Sequence, residues 1–98
     1  MPYLSVGALF AVLAQKGFDQ IGEAIQQKYP GGHYALAPGQ WLIFSPGSTT
    51  QEISNALGIT GSPTPVGSAI IIAFISYFGS ADPQIWEWIA ARMSTQRG

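Results

Sequence analysis

One stretch constrains this chain more than any other: Ala69-Ile70-Ile71-Ile72-Ala73-Phe74-Ile75. It is apolar without a break, rich in β-branched residues, and too short to span a bilayer as a helix. The spacing predicts a β-strand from Ser68 to Phe78. With no polar alternation before Ser76, that strand reads as central or covered on both faces.

The rest of the chain must supply partners for it. Tyr3 to Leu13 is a second apolar segment, in which Tyr3, Val6, Phe10 and Val12 favour a strand while its Ala and Leu residues leave helix open. Gln15 to Gly17 punctuates the chain. From Phe18 to Tyr29, the residues Phe18, Ile21 and Ile25 recur at helical spacing. Asp19 in the first turn and Lys28 in the last complement the helix dipole, and Pro30-Gly31-Gly32 ends the helix.

His33–Leu36 and Gln40–Ser45 are extended runs joined by Ala37-Pro38-Gly39. A Pro-Gly step supports a type II turn, since proline presets one torsion and glycine accepts positive φ at the next, so a hairpin is expected. Its second arm, Trp41-Leu42-Ile43-Phe44, should be covered on both faces. Thr49 and Glu52 have capping-box spacing at the start of a short helix carrying Ile53, Ala56 and Leu57, with Gly58 placed to end it. Gly61, Pro63, Pro65 and Gly67 break the loop from Gly58 to Gly67. Asp82-Pro83 opens a third helix through Met93, with Asp as cap and Pro at the first helical position.

The predicted order is β-α-β-β-α-β plus a C-terminal helix. That order describes an α+β, ferredoxin-like fold in which an antiparallel sheet carries two helices on one face. At 98 residues there is room for one domain and one core. We expect that domain over residues 1–93, with 94–98 as a frayed tail, and find no internal repeat.

Within this order, Gln40-Trp41-Leu42-Ile43 in the hairpin is followed by Ser48-Thr49-Thr50-Gln51-Glu52-Ile53 opening a short helix ahead of Leu57. This stretch, from Phe18 to Ile89, resembles the small bacterial SinR-like proteins. They share a ferredoxin-like fold with the dimeric CRISPR-associated spacer-integration subunit and with VapD-type ribonucleases. The resemblance rests on order and spacing, and it implies a fold and a tendency to homodimerise. Nuclease members of that wider group carry an acidic residue at the end of the first strand, where two copies hold a divalent metal. Here that strand ends Val12-Leu13-Ala14-Gln15, and Asp19 follows only after Gly17 and Phe18, a departure that argues against metal-dependent cleavage.

The side-chain inventory points the same way. With no cysteine, one histidine and five acidic residues, the chain lacks a ligand-spaced cluster, so no metal or cofactor is expected. Asp19 and Glu23, four apart, are more simply a solvated helix face. His33 is the single conventional base near neutral pH, and nothing in its spacing pairs it with Ser45, Ser48 or Thr49. Glycine and hydroxyls at Ser45–Thr50 resemble an anion-binding helix start, but the P-loop lysine is missing and the capping box uses those donors. No catalytic residue is assigned. Four dispersed cations (Lys16, Lys28, Arg92, Arg97) give a formal net charge of −1, so nucleic acid is not the favoured partner. Tyr77 and Phe78 have the aromatic character to stack bases, but without nearby cations they read as a cap on the core.

Charged residues make up 9% of the chain against about 25% in an ordinary soluble domain, leaving little polar covering for its surface. The third helix sharpens the point. Trp86 and Trp88 are about 200° apart around it, with Ile85 and Ile89 beside or between them. Either both tryptophans reach the core along the edges of one broad face, or one anchors a subunit interface. We take the second reading and assign Ile85, Trp86, Trp88 and Ile89 to an interface. The expected role is a non-catalytic homodimeric interaction or regulatory module, cytoplasmic and without a membrane anchor. The alternative is a nucleic-acid-binding or degenerate nuclease-like protein of the CRISPR-associated dimeric group.

Overall fold

The computed structural model describes the backbone of residues 7–97 and the side chains of residues 8–92. Strand β1 (Gly7–Lys16) runs through the middle of the sheet, and α1 (Phe18–Lys28) follows after a single left-handed residue, Gly17. The hairpin β2 (His33–Ala37) and β3 (Gln40–Ser48) leads to α2 (Thr50–Ala56), then β4 (Ser68–Phe74) and α3 (Pro83–Arg97). The four strands lie in the order β2-β3-β1-β4 with every neighbouring pair antiparallel. This is the expected α+β arrangement, ferredoxin-like in element order, with the additional C-terminal helix.

Local chemistry explains the boundaries. Gly39 has φ of 82°, as the Pro-Gly turn requires. A side chain there would also strike the ring of Phe18, which sits 2.7 Å from the position of a Cβ. The capping box forms as its spacing predicts. The Glu52 N–H donates to Thr49 Oγ1 at 3.1 Å, and the Thr49 N–H donates to Glu52 Oε1 at 2.8 Å. Asp82 caps α3, accepting from the Gln84 N–H at 2.9 Å.

Several expectations need correction. The first segment is a strand over its described residues, and it continues to Lys16 through the Gln15–Lys16 step read as a break; Tyr3 to Val6 lie outside the described residues. Pro46-Gly47 stays inside β3. There the register against β1 shifts between Gly7↔Ser48 and Leu9↔Phe44, and such an irregularity tolerates a residue without a ladder donor. β4 ends at Phe74 rather than Phe78, opposite Leu9 of β1. It is an edge strand, not a central one.

α1 and α2 close one face of the sheet. Phe10, Val12 and Ile43 from the strands meet Ile21, Ile25, Ile53, Leu57 and Ile59 in one buried cluster. Gly22 lets α1 approach closely, since a Cβ there would lie 3.3 Å from the Trp41 indole. Where β1 leaves the sheet, its exit crosses the loop entering β4 at backbone contact. A Cβ on Gly17 would lie 2.3 Å from the Val66 carbonyl oxygen, and one on Gly67 would lie 2.3 Å from that of Lys16.

Candidate interaction surface

The second face of the sheet carries the alternate residues of each strand. Register places Phe44, Leu9 and Phe74 in one row, Tyr34, Leu42, Ala11 and Ile72 in the next, and Gln40, Leu13 and Ile70 in a third. α3 lies over the first of these rows and part of the second. Ile89 is buried between Leu9 and Leu42, while Ile85, Trp86 and Trp88 are half-buried against Tyr34, Phe44 and Phe74.

Ring contacts hold the N-terminal half of the helix on the sheet. Trp86 stacks on Tyr77 with centroids 6.0 Å apart, and Trp88 meets Tyr34 at 5.9 Å. The Arg92 guanidinium lies 4.7 Å above the Trp88 ring and donates to the Gly31 carbonyl oxygen at 3.0 Å. All four residues assigned from sequence to an interface therefore pack on the sheet of their own chain, Ile89 completely and the others in part.

Among the described side chains of α3, none joins the buried cluster from over the third row. Leu13 is 38% exposed, Ile70 55% and Ile72 44%. Here the reading of β4 as covered on both faces fails: among the described residues the strand has no outer neighbour, and Ile70 and Ile72 stay exposed. Beyond the strand, Ile75 and Phe78 are almost wholly exposed, so Phe78 does not cap the core; Tyr77 alone does, through Trp86 and the edge of Phe74.

The hydrogen bonds also orient the free edge. The Ala14 N–H donates to Gly39 at 2.8 Å, so Ala14 turns its backbone groups toward β3. Alternation along an antiparallel strand then turns Leu9, Ala11 and Leu13 toward β4, where they oppose Phe74, Ile72 and Ile70. The N–H and C=O groups of Ala69, Ile71 and Ala73 consequently point out of the sheet. No charged residue lies between Gly67 and Ala81, and β4 contains no proline. An edge of this kind lacks the devices that usually discourage strand addition.

The candidate chemical groups make local contacts or line an open cleft. His33 Nδ1 lies 2.8 Å from the Tyr29 carbonyl oxygen, Ser45 and Ser48 hydroxyls bond each other at 2.7 Å, and Thr49 caps α2. Asp19 and Glu23 face an open cleft of about 530 Å³ beside Phe18 and Trp41. Among the described residues no group of acids and histidines is arranged to hold a metal, and no helix is long and apolar enough to cross a membrane. Burial, followed by the nearby Glu52 carboxylate, raises the Tyr29 phenol above its ordinary value.

Comparison with family models, curated proteins and solved structures finds no match. What the structure supports of the resemblance noted above is the element order and the four-stranded antiparallel sheet.

Proposed function

We propose that this chain is a non-catalytic interaction module that works as a homodimer. One observation carries the reading: Leu13, Ile70 and Ile72 form an exposed apolar strip beside an uncharged sheet edge that no other described strand pairs. Covering such a strip removes apolar area from water at about 25 cal/mol per Å². The low charge supports a second copy as the cover, since two copies bring no like-charge repulsion to the strip. Homodimerisation is also what the resemblance to the SinR-like proteins implies. His33, Ser45, Ser48 and Thr49 support the non-catalytic part, each being engaged in a contact that holds the fold.

Light scattering across a concentration series tests this. The expected mass is twice 10.4 kDa at high concentration. Raised salt should preserve or tighten the dimer, because apolar association is not screened. A single-chain mass at every concentration would sink the reading. Retention of RNA or DNA at low salt, lost as salt rises, would replace it with nucleic-acid binding.

A further inference from the structure

Resting on the homodimer reading, we infer that the two copies join edge to edge, β4 pairing antiparallel with β4 of the second copy about a two-fold axis at Ile71. The outcome is one continuous sheet running through both chains, an isologous interface in which one segment serves both sides.

The register follows from which groups β4 leaves free. Ala69, Ile71 and Ala73 carry the outward N–H and C=O groups, as the β1–β4 pairing dictates. With the axis at Ile71, Ile71 exchanges hydrogen bonds with its own copy and Ala69 exchanges them with Ala73 of the second copy. Every outward group of those residues then has a β4 partner. Moving the axis to Ile70 leaves Ala73 without one, and moving it to Ile72 does the same to Ala69.

The side chains select the same register independently. On the α3 side of the sheet, Ile70 comes to stand opposite Ile72 of the second copy, and Ile72 opposite Ile70. These are the exposed large apolar side chains of the strand, 55% and 44%. They meet in the closer, non-hydrogen-bonded type of pair, where β-branched side chains interact best across strands. On the other side, Ala69 and Ala73 are small, which keeps the seam clear below α2. The groove there, lined by Thr50, Gln51, Ser54 and Thr60 with Ala69 and Ile71, presents no charge to the second copy.

Because the chain has no cysteine, single cysteines report the register cleanly. The non-hydrogen-bonded pair spaces Cα atoms about 4.5 Å apart, within disulfide range. I70C and I72C chains would be purified separately, mixed, exchanged and oxidised. The expected product is a covalent dimer containing one chain of each, at several times the yield of either variant alone. A73P serves as the second variant, because proline removes an outward N–H that β1 does not use. By symmetry the bond is lost twice, so dimerisation should weaken at least about tenfold. If the wild-type chain dimerises but the mixture cross-links no better than its components, the β4 pairing is wrong and the homodimer stands. A wild-type chain that stays monomeric overturns both.

Discussion

The two faces of this sheet are built from the same strands and reach different ends. Under α1 and α2, Phe10, Val12, Ile21, Ile25, Ile43 and Ile53 are all fully buried. Under α3, full burial is confined to Leu9, Leu42 and Ile89, and the face opens toward Leu13, Ile70 and Ile72. The difference has a topological origin. α1 and α2 are the connections between strands, so the chain cannot leave β1 or β3 without laying a helix over the first face. α3 arrives after β4, along an exposed segment, and its described side chains pack on one end of the second face. A face covered by crossovers is closed by connectivity, whereas a face covered by an appended helix is closed only as far as that helix reaches.

Truncation on each face tests the contrast. Phe10→Ala should cost about 3–5 kcal/mol, the range for emptying an aromatic site in a closed core, measured as the shift in a denaturant midpoint. For a domain with a margin of roughly 5–15 kcal/mol that is a large share. Ile89→Ala should cost less, about 2–3 kcal/mol, since α3 can settle toward the sheet and part of its surroundings is already open. Equal losses at the two positions would break the comparison.

The smallest effect lies at the rim of the first face, where Tyr29 packs against the buried cluster. Its phenol is held above the ordinary value of 10.0, by burial first and then by Glu52. Well below pH 10 the group is neutral folded or unfolded. Above that the unfolded chain ionises first, so stability falls as pH rises toward the folded value. Tyr29→Phe should flatten that part of the pH–stability curve and leave neutral pH nearly unchanged. An unaltered slope would mean that Tyr29 is solvated like an exposed phenol.

Much of the first face was legible in the sequence because its signals are local. Ile21 and Ile25 at helical spacing, the Thr49/Glu52 capping box and the Pro38-Gly39 turn each specify geometry within a few residues, and each forms as expected. The exposed strip was not legible for a physical reason. A strand buried on both sides by its own chain and an edge strand with bare isoleucines have the same apolar pattern, so Ala69–Ile75 pointed to a covered strand. The tryptophans drew attention instead, because large apolar groups on two sides of a helix demand cover. Here Tyr34 and Tyr77 provide part of that cover from within the chain. The useful sign was the lack of any charge from Gly67 to Ala81, which an edge strand ordinarily carries as a guard.

The crossing of Gly17 and Gly67 bears on all of this. Two backbones that touch with no side chain between them act as a detent: a slip of β4 by one residue would bring Val66 or Ser68 to the place of Gly67, where a Cβ has no room beside the exit of β1. A slip of one residue would exchange the faces of the whole strand, sending Ile70 and Ile72 toward α2 and turning Ala69, Ile71 and Ala73 outward. A pair of glycines at one end of β4 thus decides which hydrocarbon the far side of the molecule displays.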